Sequence, residues 1–420
     1  MATPRNTAAP VAIGIAGLGA AGRAFLPAIA RHPGFRLAAA AEPSAQVRAE
    51  ALAGLDAKGY DSVRAMLAHP GLQAVYIATP TALHPQHVLQ ACSAGVHILV
   101  EKPMATGLDE ARAMVQAAQR AGVIMLVGHS HSYDMPIHAM RRIIDEGGLG
   151  RVRMVNTWCY TDWVYRPRRP DELDEQQGGG VTYRQGSHQF DIIRLLCGGQ
   201  AQSVRARTFD MDTARSVIGA HVAYLDFADG AAATAVYNGY GRFSSMDLTF
   251  DVSEWGHRQP PGSRPWASRG ADPQAELAAK QARARSAIPA DAPLQPFFGL
   301  TLVSCEGGDI RQSPQGLQVF TPQGAEEISL PSDRSPRDLV MDEFHGAITG
   351  RAPAIHSGHW GLANLEVCAA AIESSRTGAE VRLYEQVGLP GPLGPAQAPK
   401  ISTQLTKQDT RYPAPGRNPG

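Results

Sequence analysis

The chain has 420 residues, and its 39 basic and 39 acidic side chains cancel to a formal net charge of zero, so no global field draws it to nucleic acid or to an anionic membrane. With 44% apolar and 19% charged residues it has an ordinary globular composition, and its length exceeds what one hydrophobic core usually spans. The sequence shows no membrane-length apolar run and no signal-peptide core, and its five scattered cysteines lack metal-ligand spacing, so a cytoplasmic protein with reduced thiols and no metal is expected.

Residues 1–10 read as a tail. From Val11 the chain alternates strands and helices: a strand at Val11–Ala16, a helix at Ala20–Arg31, a strand at Phe35–Ala41 and a helix near Ser44–Leu55. Strands follow at Gln73–Ala78, His97–Val100 and Val123–Val127, separated by helices at about His84–Ala94 and Asp109–Ala121. That rhythm predicts a doubly wound parallel sheet of the Rossmann type over residues 11–133.

Residues 134–387 read differently. A helix around Ile137–Glu146 leads to strand-like runs at Arg151–Tyr160, Ser216–Phe227, Ala231–Asn238, Met246–Val252 and Leu300–Ser304, with one helix at Ser187–Leu196. A second α/β domain with a large, mostly antiparallel open sheet is expected. Residues 256–296 read as a long loop insertion with one short helix near Gln274–Ala284. Two late helices lie at Pro336–Ile348 and Trp360–Ser374, and residues 388–420 form a Pro/Gly-rich tail.

The first strand runs into Gly17-Leu18-Gly19-Ala20-Ala21-Gly22, a G-x-G-x-x-G loop opening a helix. Its glycines allow a tight turn, approach of backbone to a pyrophosphate and close helix–strand packing, while Ala20 and Ala21 begin the helix whose N-terminus attracts phosphate. Glu42, twenty residues past Gly22 at the end of the next strand, is placed to accept ribose hydroxyls and repel a 2′-phosphate. NAD is therefore preferred over NADP, with Arg48 able to soften the preference if it turns inward. Thr79 and Pro80 reach the same sheet edge and are cofactor-lining candidates, as is His84 in the helix entry.

Glu101-Lys102-Pro103 ends a further strand, so Lys102 presents an ammonium at the carboxyl edge of the sheet, with Glu101 beside it as a further cofactor-binding candidate. A glycine-rich stretch, Gly178 to Gly180, then leads through Gly186-Ser187 into a helix whose first turn carries His188. A helix N-terminus favours neutral imidazole, as a general base requires, and Asp191 one turn on is a candidate to orient it. His129 and Tyr133 follow another strand end and are candidate substrate-pocket residues; with His131 and Asp134 they show no metal-site spacing.

The ordered segments GLGAAG, TPTALH, EKP, VGHSHSYDMP and GGGVTYRQGSHQFD resemble the glucose-fructose oxidoreductase/inositol dehydrogenase/MocA family over residues 11 to about 375. The resemblance implies an NAD-binding Rossmann domain, a C-terminal domain whose open sheet commonly forms the interface of a homo-oligomer (dimer or tetramer), and Lys102 and His188 acting at a substrate carbinol. In that family an aspartate usually lies four positions before the histidine; here it is Arg184. A guanidinium binds anions bidentately, and Trp163 to Pro170 adds Arg166, Arg168 and Arg169. The small-molecule substrate is thus expected to be anionic. Within the family, WVYRPRRPDELD, GGGVTYRQGSHQFDIIRLLCGG and FFGLTLVSCEGGDIRQSPQGL are similar to dehydrogenases of carboxylated cis-dihydrodiols. Two other readings remain open: a sugar or inositol dehydrogenase, and a dinucleotide-binding sensor without turnover.

Overall fold

The structure, a computed structural model, describes residues 9–128, 131–259, 272–284 and 292–392. Residues 1–8 and 393–420 of the expected tails, and residues 260–271 and 285–291 of the 256–296 insertion, lie outside the described residues.

The first half forms β1 (Val11–Ala16), α1 (Ala20–Arg31), β2 (Phe35–Ala41), α2 (Ala45–Leu52), β3 (Lys58–Tyr60), α3 (Val63–Leu67), β4 (Ala74–Ile77), α4 (His84–Ser93), β5 (His97–Glu101), α5 (Leu108–Ala121) and β6 (Met125–Gly128). Its six strands are ordered β3-β2-β1-β4-β5-β6, and every pairing is parallel. Strands β1, β4 and β6 are buried on both faces, which is why they read as continuous apolar runs. Strand β3 and helix α3 are not among the expected elements; β3 is three residues long and carries no apolar alternation.

The second half contains α6 (Met135–Glu146), β7 (Val152–Tyr160), α7 (Pro170–Leu173), α8 (Gly180–Arg184), α9 (Gly186–Leu196), β8 (Ala201–Phe209), β9 (Ala220–Phe227), β10 (Ala232–Asn238), α10 (Pro273–Ala284), β11 (Leu300–Cys305), β12 (Gly308–Gln312), β13 (Gly316–Thr321), β14 (Gly324–Ser329), α11 (Pro336–Ile348), α12 (Gly358–Thr377) and β15 (Val381–Arg382). Nine strands form one sheet, β14-β13-β12-β11-β7-β10-β9-β8-β15, antiparallel except for the β7–β10 pair. The expected strand at Met246–Val252 is instead a 3₁₀ turn, Ser245–Leu248, followed by Phe250 and Asp251 at φ 59° and 60°. Ser244 caps that turn, and Thr249 Oγ1 donates to Val252 O at 2.9 Å, so local side-chain bonds displace the ladder that the apolar pattern suggests.

One face of the large sheet packs against α9 and α12. The other is open and carries apolar side chains in register: Leu300 beside Trp158, Trp158 beside Val236, and Val236 beside Val222. Met154, Trp158, Val222 and Tyr224 on this face are all exposed.

The two sheets are joined through α12. Its lead-in residue Ser357 bridges to Leu126, and Val127 N donates to His356 O at 2.9 Å. A Cβ at Gly361 would lie 2.2 Å from Val127 Cγ2, so only glycine lets α12 lie this close to β6. Beside it His356, fully buried, lies between two carboxylates, with Nδ1 3.1 Å from Glu343 Oε2 and Nε2 3.6 Å from Asp191 Oδ2. Burial opposes the imidazolium, but Glu343 and Asp191 outweigh it and raise its pKa to about 9. Because the folded value lies above the unfolded value of about 6.5, the associated stability is complete below pH about 6.5 and is lost as pH rises through about 9. The expected loss is on the order of 3 kcal/mol. Thermal unfolding from pH 6 to 10 should show Tm falling across this window, and His356→Gln should be less stable at pH 7 with a flatter profile.

Among the described residues no helix is long and apolar enough to cross a membrane.

Candidate functional site

The glycine loop supplies the first part of the site. Gly17 adopts φ 92° with Ala78 O close against it, and a Cβ at Gly22 would meet Gly17 O at 2.0 Å. Gly19, the N-cap of α1, has open space where its Cβ would be, and no side chain caps the helix there. The N–H groups of a twelve-residue helix therefore face a cradle kept free of side chains, which suits a pyrophosphate. Ala20 and Ala21 form the first turn of that helix.

Glu42 stands at the end of β2 and is tied to this loop. Its Oε2 accepts from Leu18 N at 3.0 Å and its Oε1 from Ser44 N at 3.2 Å, which fixes the carboxylate over the turn. Arg48 turns to the backbone carbonyls of Glu42 and Pro43. The loop after β4 is held in another way. Thr79 Oγ1 lies 3.0 Å from His87 Nδ1, and Pro80 precedes the turn into α4. His84 is 1% exposed, with Nε2 2.8 Å from Thr79 O and Nδ1 3.1 Å from Pro103 O. Burial lowers its pKa to about 4, so the ring is neutral at pH 7 and donates to one of those carbonyls. His84 thus braces the β4 loop against the Lys102-Pro103 turn, with both ring nitrogens directed at the protein backbone.

Lys102 lies where β5 ends. Glu101 accepts a hydrogen bond from Tyr76 Oη, and its second oxygen accepts from Lys102 N at 3.2 Å. The Lys102 ammonium donates to Arg184 O at 2.8 Å. Burial lowers its pKa to about 8 against the opposing pull of Glu101, and Arg184 pushes it further down. Arg184 ends α8, and Gln185 alone separates α8 from α9, so Lys102 grips the backbone at the entrance to the helix that carries His188.

His188 is 5% exposed in the first turn of α9, edge-on to His131 at 4.7 Å and to Phe298 at 5.1 Å between ring centroids. His131 stacks on Phe298 at 4.3 Å and pairs with Asp134 at 3.2 Å. Asp191, expected to orient His188, directs its carboxylate to Trp360 Nε1 at 2.6 Å and towards His356. Through Trp360 it ties α9 to α12. Tyr133 is 1% exposed and its hydroxyl donates to Glu343 Oε2 at 2.9 Å, which commits it to the buried network. His129 lies outside the described residues.

The arginine-rich segment folds onto its own acids. Arg166 Nε donates to Asp162 at 2.7 Å, Arg168 lies 3.5 Å from Glu172, and Arg169 makes two 2.9 Å bonds to Asp171. Arg184 reaches Asp171 at 3.3 Å. Lys280, on α10, joins Glu172; burial alone would raise that carboxyl, but Lys280 and Arg168 hold it at about 2. The alternation of Arg with Asp and Glu in RRPDELD is a local signal for this self-pairing, whereas nothing local marks Lys280.

Comparison with known proteins accounts for both halves. Residues 11–129 match the model of the oxidoreductase family with an NAD-binding Rossmann fold, and residues 137–253 match the GFO/IDH/MocA C-terminal domain. The chain belongs to the Gfo/Idh/MocA oxidoreductase family. Within the family it is 39% identical over 306 residues to 1-carboxy-3-chloro-3,4-dihydroxycyclohexa-1,5-diene dehydrogenase of Comamonas testosteroni, covering 70% of this chain and 76% of that one. It is 31% identical over 120 residues to a scyllo-inositol 2-dehydrogenase (NADP(+)) of Bacillus subtilis, covering 28% of this chain and 33% of that one. A solved chain from Bordetella bronchiseptica RB50 superposes with a TM-score of 0.82 at 39% identity, covering 89% of this chain and all of that one. As a Gfo/Idh/MocA protein the chain is an oxidoreductase that uses a nicotinamide dinucleotide.

Gly19→Ala tests that cradle. The added methyl meets no protein atom, so Tm should stay within about 1 °C, while dinucleotide affinity measured by calorimetry should fall at least about tenfold, a loss of roughly 1.4 kcal/mol. Equal affinity would remove the pyrophosphate from this loop.

Proposed function

We propose that this Gfo/Idh/MocA enzyme is an NAD-dependent dehydrogenase of a carboxylated cis-dihydrodiol, oxidising phthalate 4,5-cis-dihydrodiol to 4,5-dihydroxyphthalate. The observation that carries the reading is the span of the dihydrodiol relative. Its 306 matched residues exceed either half of the chain, so the likeness extends into the substrate-binding half. The inositol relative matches only 120 residues, about the length of the nucleotide-binding half.

In this reading the cofactor is NAD, supported by the carboxylate of Glu42 fixed at the end of β2, which disfavours a nearby 2′-phosphate, and by Arg48 turning to backbone carbonyls. Gly17, Gly19, Ala20, Ala21 and Gly22 receive the pyrophosphate; Thr79, Pro80 and Glu101 line the path to the nicotinamide, with His84 bracing it. NAD held there would supply the acceptor for the hydride of the carbinol carbon. His188, helped by Lys102, removes the hydroxyl proton. The depressed pKa of Lys102 lets its amine exchange a proton near neutral pH, and its bond to Arg184 O keeps it beside the first turn of α9. The hydroxy-ketone product tautomerises to the aromatic diol, and aromatisation makes oxidation the favoured direction.

An anionic substrate agrees with the cluster around the site, where Lys102, Arg168, Arg169, Arg184 and Lys280 face Glu101, Asp171, Glu172 and Glu276. Arg166, Arg168, Arg169 and Arg184 already hold carboxylates, so they would act on such a substrate by sharing those partners or by long-range attraction. The exposed apolar face of the nine-stranded sheet is the surface through which a homo-oligomer would form.

Purified enzyme should form NADH from phthalate 4,5-cis-dihydrodiol and at least about 100-fold more slowly from inositol or glucose, a gap of roughly 3 kcal/mol in transition-state binding. Turnover of a polyol without turnover of the dihydrodiol would refute the assignment. Lys102→Ala should lose catalysis by about three orders of magnitude with NAD affinity retained. In the wild type kcat/KM for oxidation should rise with pH and level off above about 8, as the amine loses its proton.

A further inference from the structure

A cavity of about 370 Å³ opens where the end of α1, the start of α6, the start of α11 and both flanks of the insertion meet. His131, Asp134, Glu254, Trp255, Arg334 and Arg337 are among the residues that line it. It adjoins the first turn of α9, since His131 is edge-on to His188 and lies 5.8 Å from Trp255. Most of its charges are matched. Asp134 faces His131 through Oδ2 while its Oδ1 is buried without a hydrogen-bond partner among the described residues, Glu254 lies 4.0 Å from Arg166, Arg31 pairs with Asp338 at 2.9 Å, and Arg334 pairs with Asp342 at 2.7 Å.

Arg337 is different. Its Nε is buried and has no hydrogen-bond partner among the described residues. Phe25 and Trp255 flank the guanidinium at 5.8 and 5.7 Å, leaving apolar ring surface around a polar fork. It senses the charges of Glu101, the residue before Lys102, and of Asp134 and Asp338 in the cavity wall, none of them within ion-pair distance, so it belongs to the same electrostatic neighbourhood as the reacting groups. A buried guanidinium donor without an acceptor is costly, and a carboxylate is the acceptor whose geometry matches its fork.

We propose that Arg337 is the specificity-determining residue of this enzyme, binding a ring carboxylate of the substrate and thereby setting the carbinol carbon beside the first turn of α9. This rests on the carboxylated-dihydrodiol reading and assigns the carboxylate to a residue outside the arginine-rich segment. Arg166, Arg168, Arg169 and Arg184 have carboxylates of their own, and Arg337 has none in hydrogen-bond reach among the described residues. It therefore provides the docking point, and the others provide the field.

The test compares wild type, Arg337→Met and Arg337→Lys. Phthalate 4,5-cis-dihydrodiol and the uncharged cis-dihydrodiol of benzene serve as substrates, and phthalate is titrated calorimetrically into the NADH-loaded enzyme. Arg337→Met should lower kcat/KM for the carboxylated diol on the order of 100-fold, mainly through KM. The uncharged diol and the KM for NAD should change by no more than about twofold to threefold, and Arg337→Lys should recover part of the loss. Phthalate affinity should fall in parallel. A raised KM for NAD with carboxylate selectivity intact would place Arg337 on the cofactor and overturn the proposal. So would phthalate binding that is absent in the wild type or equal in wild type and variant. If the wild type oxidises no dihydrodiol, the functional reading fails, yet the phthalate titration still decides the role of Arg337. Should Arg337→Met fail to fold, Arg337→Lys, which keeps the charge and loses the fork, is read on the same titration.

Discussion

The buried imidazole of His356 between Glu343 and Asp191 is the interaction on which the arrangement of the two halves depends. Glu343 comes from α11, Asp191 from α9, and the His356 carbonyl extends the edge of β6 through Val127 N. Removing the proton would leave two carboxylates deep in an apolar interior, so the cation and its two partners hold one another in place. Since α9 also carries His188, the same lock that joins the halves fixes the height of that helix over the parallel sheet. Trp360 adds a neutral donor to Asp191, and Gly361 lets α12 lie close enough for all of this to meet.

Above that lock the site is organised by the unequal way in which charges are matched. Glu101, Asp171, Glu172, Asp134 and Glu254 each lie against a donor or cation, and most arginines have a carboxylate. Lys102 is held by a carbonyl, which carries no full charge, so burial lowers its pKa to about 8 and its proton becomes mobile near neutral pH. Arg337 keeps its charge, because a guanidinium does not deprotonate, and is left to seek an acceptor. Both residues follow one rule: a cation given less than a full carboxylate partner is available for chemistry or for ligand.

What is legible in the sequence is what local backbone encodes. The glycine turn, the strand-ending Glu101-Lys102-Pro103 and the helix opening at Gly186-Ser187 are short-range patterns, and β1, α1, β2 and α11 have the bounds that their periodicity predicts. The same reasoning misreads Met246–Val252, because an apolar run does not reveal that Phe250 and Asp251 take left-handed backbone. Nor does helical spacing reveal that Trp360 and His356, more than 150 residues later, also face the Asp191 carboxylate. Tyr133 reads as a pocket residue for a like reason: Glu343, its hydrogen-bond partner, is invisible from position 133.

The sequence by itself determines the parallel nucleotide-binding sheet, the cradle from Gly17 to Gly22, Glu42 at the end of β2, and the presence of Lys102 and His188 at element ends. Each follows from backbone conformations and periodicities that span a few residues. Only the tertiary structure decides which charges are matched: that Arg166, Arg168, Arg169 and Arg184 are engaged by neighbouring acids, that Lys102 rests on the Arg184 carbonyl, and that Arg337 faces a cavity beside His131. The physical reason is that an ionic group's behaviour depends on its surroundings within a few ångströms, and here those surroundings are assembled from distant segments, as far apart as the 307 residues between Arg31 and Asp338.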